Sequence, residues 1–259
     1  DDAAAGPEKY YRVIHDVSTT PTINEAGIIQ LASCAPGTTA VFGIPLEVGS
    51  AAIADVVGWQ GTGGNSTVGA TPGDEIHTWK GNTYAMSWLV DVNANDVVDI
   101  PQDGTWYNKT SSAPSADTLS HGEGFWWLTK TAMETLWIEG LVPTVDATIN
   151  VPAAPNQVLF GWPYPTSGGT PMNLAAADNL GFATSGAQDG TDAILADSMS
   201  LYPCGGGFDI KYLDVDGQWH DDGSPIPTGA SMIPGQGGWI KRGTNGGGGA
   251  FIWSIPKPY

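Results

Sequence analysis

Short runs of apolar residues, separated by glycine, proline and asparagine, recur along this chain. Val, Ile, Phe, Trp and Tyr dominate the runs, and such side chains fit the pleated, half-buried surface of a β-sheet. The runs predict strands at residues 39–46, 76–79, 84–90, 124–128 and 136–141 in the first half, and at 199–202, 208–213, 238–240 and 251–253 in the second. Short strands joined by Gly- and Pro-rich turns are typical of sandwiches and barrels.

Each half also contains one predicted short helix. The expected N-caps are Ser50 in the first half and Asn173 in the second, and Gly58 and Gly181 are the expected ends. The apolar faces of the two helices are formed by Ile53, Val56 and Val57, and by Leu174, Ala177 and Leu180.

The second half of the chain repeats motifs of the first half in the same order. The matched segments are 41–46 with 159–164, 54–59 with 177–182, 91–93 with 214–216, 122–126 with 235–239, and the closing strands of Trp137 and Trp253. Five ordered matches at a nearly constant separation indicate a duplication. The sequence therefore predicts an all-β fold with minor α content, made of two tandem sandwich-like or barrel-like repeats at 29–146 and 147–259.

Residues 1–28 lie outside both predicted repeats and form a strand-like arm. Its strand residues are Tyr10, Tyr11, Val13, Ile14 and Val17. A strand without a partner leaves its backbone donors and acceptors unpaired, so the arm must pair with a sheet edge. We expect that edge to belong to a neighbouring subunit, because the polar, proline-containing stretch at 18–27 is long enough to carry the strand away from its own body.

Two motifs carry a resemblance to a known group of repeats. They are the strand 160–165 (FGWPYP) and the segment 122–126 (GEGFW), whose second copy is 236–239 (QGGW). The pattern resembles tandem repeats in secreted and surface proteins of uncultivated bacteria. The resemblance implies export and a surface or matrix role, and it implies no reaction.

The charge balance narrows the possible partners. The chain has 9 Lys and Arg against 27 Asp and Glu, a net charge of −18 and a pI near 4.1. Nucleic acids and anionic membrane surfaces are bound mainly through basic residues, so neither is an expected partner. No apolar run is long enough to span a bilayer. The acidic surface and the opening Asp1-Asp2-Ala3, which is typical of a processed end, favour an extracellular or cell-surface location.

Covalent modifications are possible at two pairs of positions. Cys34 and Cys204 lie in different repeats and form either one disulfide or two free buried thiols. Asn65 and Asn108 begin glycosylation sequons, a motif that is also common by chance.

The sequence contains no recognised catalytic motif. The four histidines are dispersed, and a structural role is expected for each: His15, His77, His121 and His220. Glu123 is the one candidate acid for glycoside hydrolysis, but its counterpart is Gln236, so a structural role is favoured. We therefore expect a protein without enzymatic activity.

Acidic loops indicate calcium as the one possible cofactor. In the first repeat the candidate ligands are Asp91, Asn93, Asn95 and Asp99, and in the second they are Asp214, Asp216 and Asp221. Alternating oxygen ligands are typical of calcium loops. However, Asp96 stands where such a loop needs glycine and Gln102 where it needs a bidentate Glu, so a solvated acidic turn is the alternative.

Two functions from different classes fit these features. The first is a secreted structural protein that self-assembles into an extracellular filament or surface layer, with identical subunits as partners and the arm pairing onto a neighbour. The alternative is a secreted carbohydrate-binding module that uses exposed tryptophans and calcium. The candidate sugar-stacking residues are Trp106, Trp127 and Trp219.

Overall fold

The computed structural model describes most of the chain. The described residues are 26–31, 35–48, 51–64, 73–92, 101–130, 136–165, 172–173, 179–202, 207–227, 231–244 and 248–257. They form two β-sandwich-like repeats in tandem, so the predicted all-β fold class is confirmed.

Repeat 1 contains a five-stranded and a two-stranded antiparallel sheet. Its elements are β1 (Ala26–Leu31), β2 (Thr39–Gly43), α1 (Ile53–Val56), β3 (Glu75–Trp79), β4 (Tyr84–Leu89), β5 (Trp106–Asn108), β6 (Gly124–Leu128) and β7 (Leu136–Leu141). The larger sheet has the order β2-β6-β3-β4-β5, and β1 pairs with β7 in the smaller one.

Repeat 2 has two sheets with the same topology and a further two-stranded sheet of β10 and β14. Its strands are β8 (Ala147–Val151), β9 (Gln157–Gly161), β10 (Met172–Asn173), β11 (Ser198–Leu201), β12 (Asp209–Leu213), β13 (Trp219–Asp221), β14 (Ser231–Met232), β15 (Gly237–Lys241) and β16 (Phe251–Ile255). The larger sheet runs β9-β15-β11-β12-β13, the counterpart of β2-β6-β3-β4-β5, and β8 pairs with β16 as β1 pairs with β7.

Each sandwich encloses its own apolar core. Along β8, buried Ala147, Ile149 and Val151 alternate with two exposed polar residues. This period of two directs one face of the strand inward. The largest buried side chains of the two cores include Trp106 and Phe125 in repeat 1, and Trp162, Trp219 and Trp253 in repeat 2.

The first repeat begins earlier than the sequence predicts. Strand β1 starts at Ala26 and pairs along its length with β7, so the predicted boundary after residue 28 falls inside a strand. The pattern of 26–31 was not recognised as a strand because its first residues are Ala and Gly.

The helices differ from the prediction in both repeats. Helix α1 has Ala52 at its N-cap, with no side-chain capping hydrogen bond, and the predicted cap Ser50 lies outside the described residues. In the described part of repeat 2 there is no α-helix: Asn173 belongs to strand β10, and Asn179–Gly181 form a 3₁₀ turn. Residues 174–178, which carry most of the predicted second helix, lie outside the described residues.

Two predicted equivalences are shifted by one residue. The register pairs Ile29 with Ile138 in repeat 1 and Ile149 with Trp253 in repeat 2, so the counterpart of Trp253 is Ile138 and not Trp137. A shift of one residue moves a side chain to the other face of a sheet. Trp253 is accordingly buried, whereas Trp137 is half-buried.

The second shift affects the acidic segments. The bridge of Gly64 with Val90 has its counterpart in the bridge of Gly190 with Asp214, so Asp214 corresponds to Val90 rather than to Asp91.

Within the described ranges, no helix is long and apolar enough to cross a membrane.

Candidate functional site: the repeat interface and the β8 edge

The two repeats contact each other through reciprocal backbone hydrogen bonds. The Gly43 N–H donates to the Gly235 carbonyl at 2.9 Å, and the Gly161 N–H donates to the Gly122 carbonyl at 2.8 Å. Gly43 corresponds to Gly161, and Gly122 corresponds to Gly235. The interface therefore has pseudo-two-fold symmetry, like an isologous dimer built into one chain.

The backbones approach most closely at the centre of this interface. A β-carbon added to Gly43 would lie 2.2 Å from the Gly161 Cα, and the converse distance is also 2.2 Å. Only glycine permits this approach.

Aromatic side chains flank the centre in two corresponding groups. Each group combines two rings from one repeat with a tryptophan from the other: Trp79 and Tyr84 with Trp239, and Tyr202 and Phe208 with Trp126. The closest cross-repeat centroids are 5.2 Å apart for Trp79 and Trp239, and 5.0 Å apart for Trp126 and Tyr202. Both contacts are edge-to-face, the geometry that aromatic quadrupoles favour.

Glu123 and Gln236 make the same hydrogen bond in the two repeats. An Oε atom of each accepts a backbone N–H three residues earlier, from Ser120 and Ile233 respectively, at 3.1 Å. Burial raises the pKa of Glu123. Because the uncharged Gln236 makes the same hydrogen bond, the Glu123 charge is not required for this turn.

A buried carboxylate on the outer face of the larger sheet of repeat 1 collects three cationic or polar partners. Glu75 is 1% exposed and contacts Lys109 Nζ at 2.9 Å, Lys130 Nζ at 3.0 Å and His77 Nε2 at 2.7 Å. Burial alone would raise the pKa of Glu75, but the hydrogen bonds from these three residues lower it to about 2. No local sequence pattern indicates this cluster, since its members come from three separate segments.

Repeat 2 contains a fully buried ion pair. The Arg242 Nε donates to both Asp197 carboxylate oxygens at 2.9 Å, and its Nη1 donates to the carbonyls of Pro152 and Gly249. The guanidinium also stacks on the Phe251 ring, 4.7 Å from its centroid. Arg242 thereby joins the ends of β8 and β16 to the larger sheet.

The aspartate of this pair has a counterpart without the arginine. Asp74 accepts the backbone N–H groups of Thr62 and Lys130, as Asp197 accepts those of Gln188 and Gly243. The arginine is therefore an addition specific to repeat 2.

The second predicted calcium loop has a different arrangement. His220 contacts Asp214 at 3.5 Å and Asp216 at 3.2 Å, whereas Asp221 pairs with Lys211. Burial disfavours the imidazolium, but the hydrogen bonds to Asp216 and the Ser224 carbonyl raise the pKa of His220. Among the described residues, no group of three or more His, Cys, Asp or Glu side chains is arranged to hold a metal ion.

The first predicted calcium loop is described only at its start. Asp91 is fully buried, and its N–H donates to the Gly64 carbonyl at 2.8 Å. Asn93, Asn95 and Asp99 lie outside the described residues.

The tryptophans predicted to stack on sugars are in the cores. Trp106, Trp127 and Trp219 are at most 2% exposed. The prediction that they are exposed is therefore wrong, because all three project toward the inner side of the larger sheets. Asn108 is half-buried, and its Oδ1 accepts the N–H groups of Thr110 and Ser111.

Several predicted residues lie outside the described part of the chain. They are the arm residues Tyr10, Tyr11, Val13, Ile14 and Val17, the cysteines Cys34 and Cys204, and the sequon residue Asn65.

Within the described part of the chain, one edge of strand β8 has no partner strand. The side chain of Gln60 hydrogen-bonds both the N–H and the carbonyl of Trp137 on the outer edge of β7. The backbone groups of Trp137 therefore point away from its cross-strand partner Gln30, and those of Gln30 point away from Trp137. The corresponding pair in repeat 2 is Ile252 with Asn150. Asn150 therefore directs its N–H and carbonyl outward, and in the described chain β16 is the only strand that pairs with β8.

Apolar surface surrounds this edge. Ile252, beside Asn150, is 59% exposed, and Val145, just before β8, is 65% exposed. An open depression of about 320 Å³ lies at the end of the strand pair, lined by Asn150, Val151, Pro152, Ala250, Phe251 and Ile252. Strand β8 was not predicted from the sequence, although the strict apolar–polar alternation of 147–151 is the local signal that could have indicated it.

Comparison of the chain with protein-family models, curated proteins and solved structures finds no match.

Proposed function

We propose that this protein is an extracellular structural subunit that self-assembles into a filament or surface layer. The observation that supports this proposal most directly is the open edge of β8. An edge strand with unpaired backbone groups is a template for a strand from another chain.

The incoming strand in this proposal is the N-terminal arm of a neighbouring subunit, with Tyr10, Tyr11, Val13, Ile14 and Val17. Its length matches β8 and the residues around it. The depression beside Val151 has room for an aromatic ring, so an antiparallel arm would place its tyrosines at that end and Val17 near Ala147. A contact between arm and edge is heterologous, and it generates an open polymer when it does not close into a ring.

Electron microscopy of the purified protein tests the assembly. Filaments or sheets are expected from the full chain, and deletion of residues 1–20 is expected to leave folded monomers. Polymers from the truncated protein would contradict the role of the arm, and monodisperse wild-type particles at all concentrations would contradict the proposed function.

The acceptor edge is tested with Asn150→Pro, which removes one outward N–H that does not pair with another strand of the described residues. The variant should fold and fail to polymerise. Gln30→Pro is the matched control, because Gln30 occupies the corresponding place on β1. Loss of assembly only in the control would place the acceptor on β1.

Carbohydrate binding is a second candidate, and the half-exposed rings at the repeat interface favour it. Phe208 is the most exposed of them and adjoins Trp126. Quenching of tryptophan fluorescence by an oligosaccharide, lost in Phe208→Ala, would support this function.

A further inference from the structure

Repeat 1 concentrates its few cations at one place. It contains thirteen acidic residues and three lysines, and two of those lysines, Lys109 and Lys130, contact the same oxygen of Glu75. One carboxylate neutralises only one ammonium group. Among the described residues, no other carboxylate pairs with either lysine, so the cluster presents an excess positive charge on a strongly acidic molecule.

The corresponding place in repeat 2 has the opposite charge. Lys109 donates its N–H to the Met86 carbonyl, and Asp222 donates its N–H to the Ile210 carbonyl in the same position of the ladder. Glu75 corresponds to Ser198, which pairs with Tyr212 as Glu75 pairs with Trp88. Repeat 2 thus folds in the same way without the cationic cluster, so the fold does not require it.

Carboxylates predominate around Asp222. Six lie on or near strands β12 and β13, against Lys211 and His220: Asp192, Asp209, Asp214, Asp216, Asp221 and Asp222. Tyr212 lies among them, with its hydroxyl 3.4 Å from Asp214. Burial raises the pKa of Tyr212, and Asp214, Asp222 and Asp192 raise it further. This group is the acidic cluster of repeat 2.

We infer that the Glu75–Lys109–Lys130 cluster of one molecule docks on the acidic cluster of repeat 2 in a second copy of this chain. The inference rests on the proposed function, and it names a second contact between subunits. The two clusters occupy pseudo-equivalent positions and have opposite charges, so each molecule offers one of each. Such a contact is head-to-tail and gives the assembly a direction.

The test exchanges the two residues that correspond to each other. Lys109→Asp gives repeat 1 the negative charge that repeat 2 has at this position. Asp222→Lys gives repeat 2 the positive charge of repeat 1. Each variant alone should associate about tenfold more weakly than wild type in sedimentation velocity, because like charges then face each other. An equimolar mixture should recover association, since the exchanged charges are again complementary. Lys80→Asp is the matched control, because Lys80 lies in the turn after β3 and outside the cluster.

Ionic strength provides an independent measurement. Raising it from about 0.01 M to about 1 M shortens the Debye length from ~30 Å to ~3 Å, and wild-type association should weaken accordingly. Association of both variants at wild-type strength, or a mixture that recovers nothing, would overturn the inference. If Lys109→Asp does not fold, Asp222→Lys and Asp222→Asn still test the same contact from the other side.

The arm deletion separates this inference from the proposed function. If the protein without residues 1–20 forms no filaments but still associates weakly, and salt and Asp222→Lys abolish that association, the charged contact stands independently of the arm. If the truncated protein still forms filaments, the arm mechanism fails. If the charge variants form normal filaments, the charged contact fails and the proposed function stands. A wild-type protein that is monomeric at every salt concentration overturns both.

Discussion

Gly43 and Gly161 face each other across the repeat interface so closely that a β-carbon on either would lie 2.2 Å from the Cα of the other. They are equivalent residues of the two repeats, so the pseudo-symmetry axis passes between them. The reciprocal hydrogen bonds to Gly235 and Gly122 lie on either side.

Gly43→Ala and Gly161→Ala should therefore destabilise the protein. We expect each to cost about 1–3 kcal/mol of unfolding free energy, because the backbones must separate to admit a methyl group. Urea denaturation measures the loss. Gly207→Ala is the control, since a β-carbon there meets nothing within 4 Å, and equal losses in all three variants would argue against a close interface.

Arg242→Met should destabilise repeat 2 more strongly. It leaves the buried Asp197 without its arginine, and breaking a buried ion pair costs about 3–5 kcal/mol. The double variant Arg242→Met with Asp197→Asn should recover part of the loss in the same denaturation experiment. No recovery would mean that the arginine acts mainly through its contacts with Pro152, Gly249 and Phe251.

Glu75 should make stability depend on pH in the acid range. Its folded-state pKa of about 2 is below the ordinary value of 4.5, so its contribution is fully present above pH 4.5 and is lost as the pH falls toward 2. The contribution is at most about 3 kcal/mol, because Lys109 and Lys130 are partly exposed to solvent. Glu75→Gln should flatten the stability profile between these pH values, whereas the exposed Glu139→Gln should leave it unchanged.

Glu123→Gln should stabilise the protein at neutral pH. Burial raises the pKa of Glu123, so the ionised carboxylate destabilises the folded protein at a pH above the folded-state pKa. Well below pH 4.5 the group is protonated in both the folded and the unfolded state, and it has no effect on the free energy of unfolding. The advantage of the variant in thermal unfolding should therefore disappear in acid. The reverse change, Gln236→Glu, should destabilise at neutral pH. If Gln236→Glu also stabilised the protein at neutral pH, the two positions would not be equivalent.

The equivalent glycines Gly43 and Gly161 show which features of the fold the sequence could predict. The motif alignment paired Gly43 with Gly161 without any knowledge of the contact between them. By contrast, the alignment of Asp91 with Asp214 was wrong by one residue, because short acidic motifs carry no information on strand register. Register is set by pairing with a distant strand, and that partner is invisible in a local pattern.

The candidate sites also differ in how far the sequence could predict them. The alternation of 147–151 marks β8 in the sequence, but its open edge depends on which strands pair with it. The Glu75 cluster was not predictable, since Lys109 and Lys130 reach it from separate strands and loops.

The sequence by itself determined that this chain is a duplicated β-protein, because strand periodicity and repeated motifs are local properties of the residues. Only the tertiary structure decided which face of each strand is buried. Trp106, Trp127 and Trp219 point into the cores, while Trp126 and Trp239 point into the repeat interface. Both faces of the larger sheets bear aromatic residues, so composition could not distinguish them. The distinction arises from the second repeat, which lies against the outer face and packs on those rings.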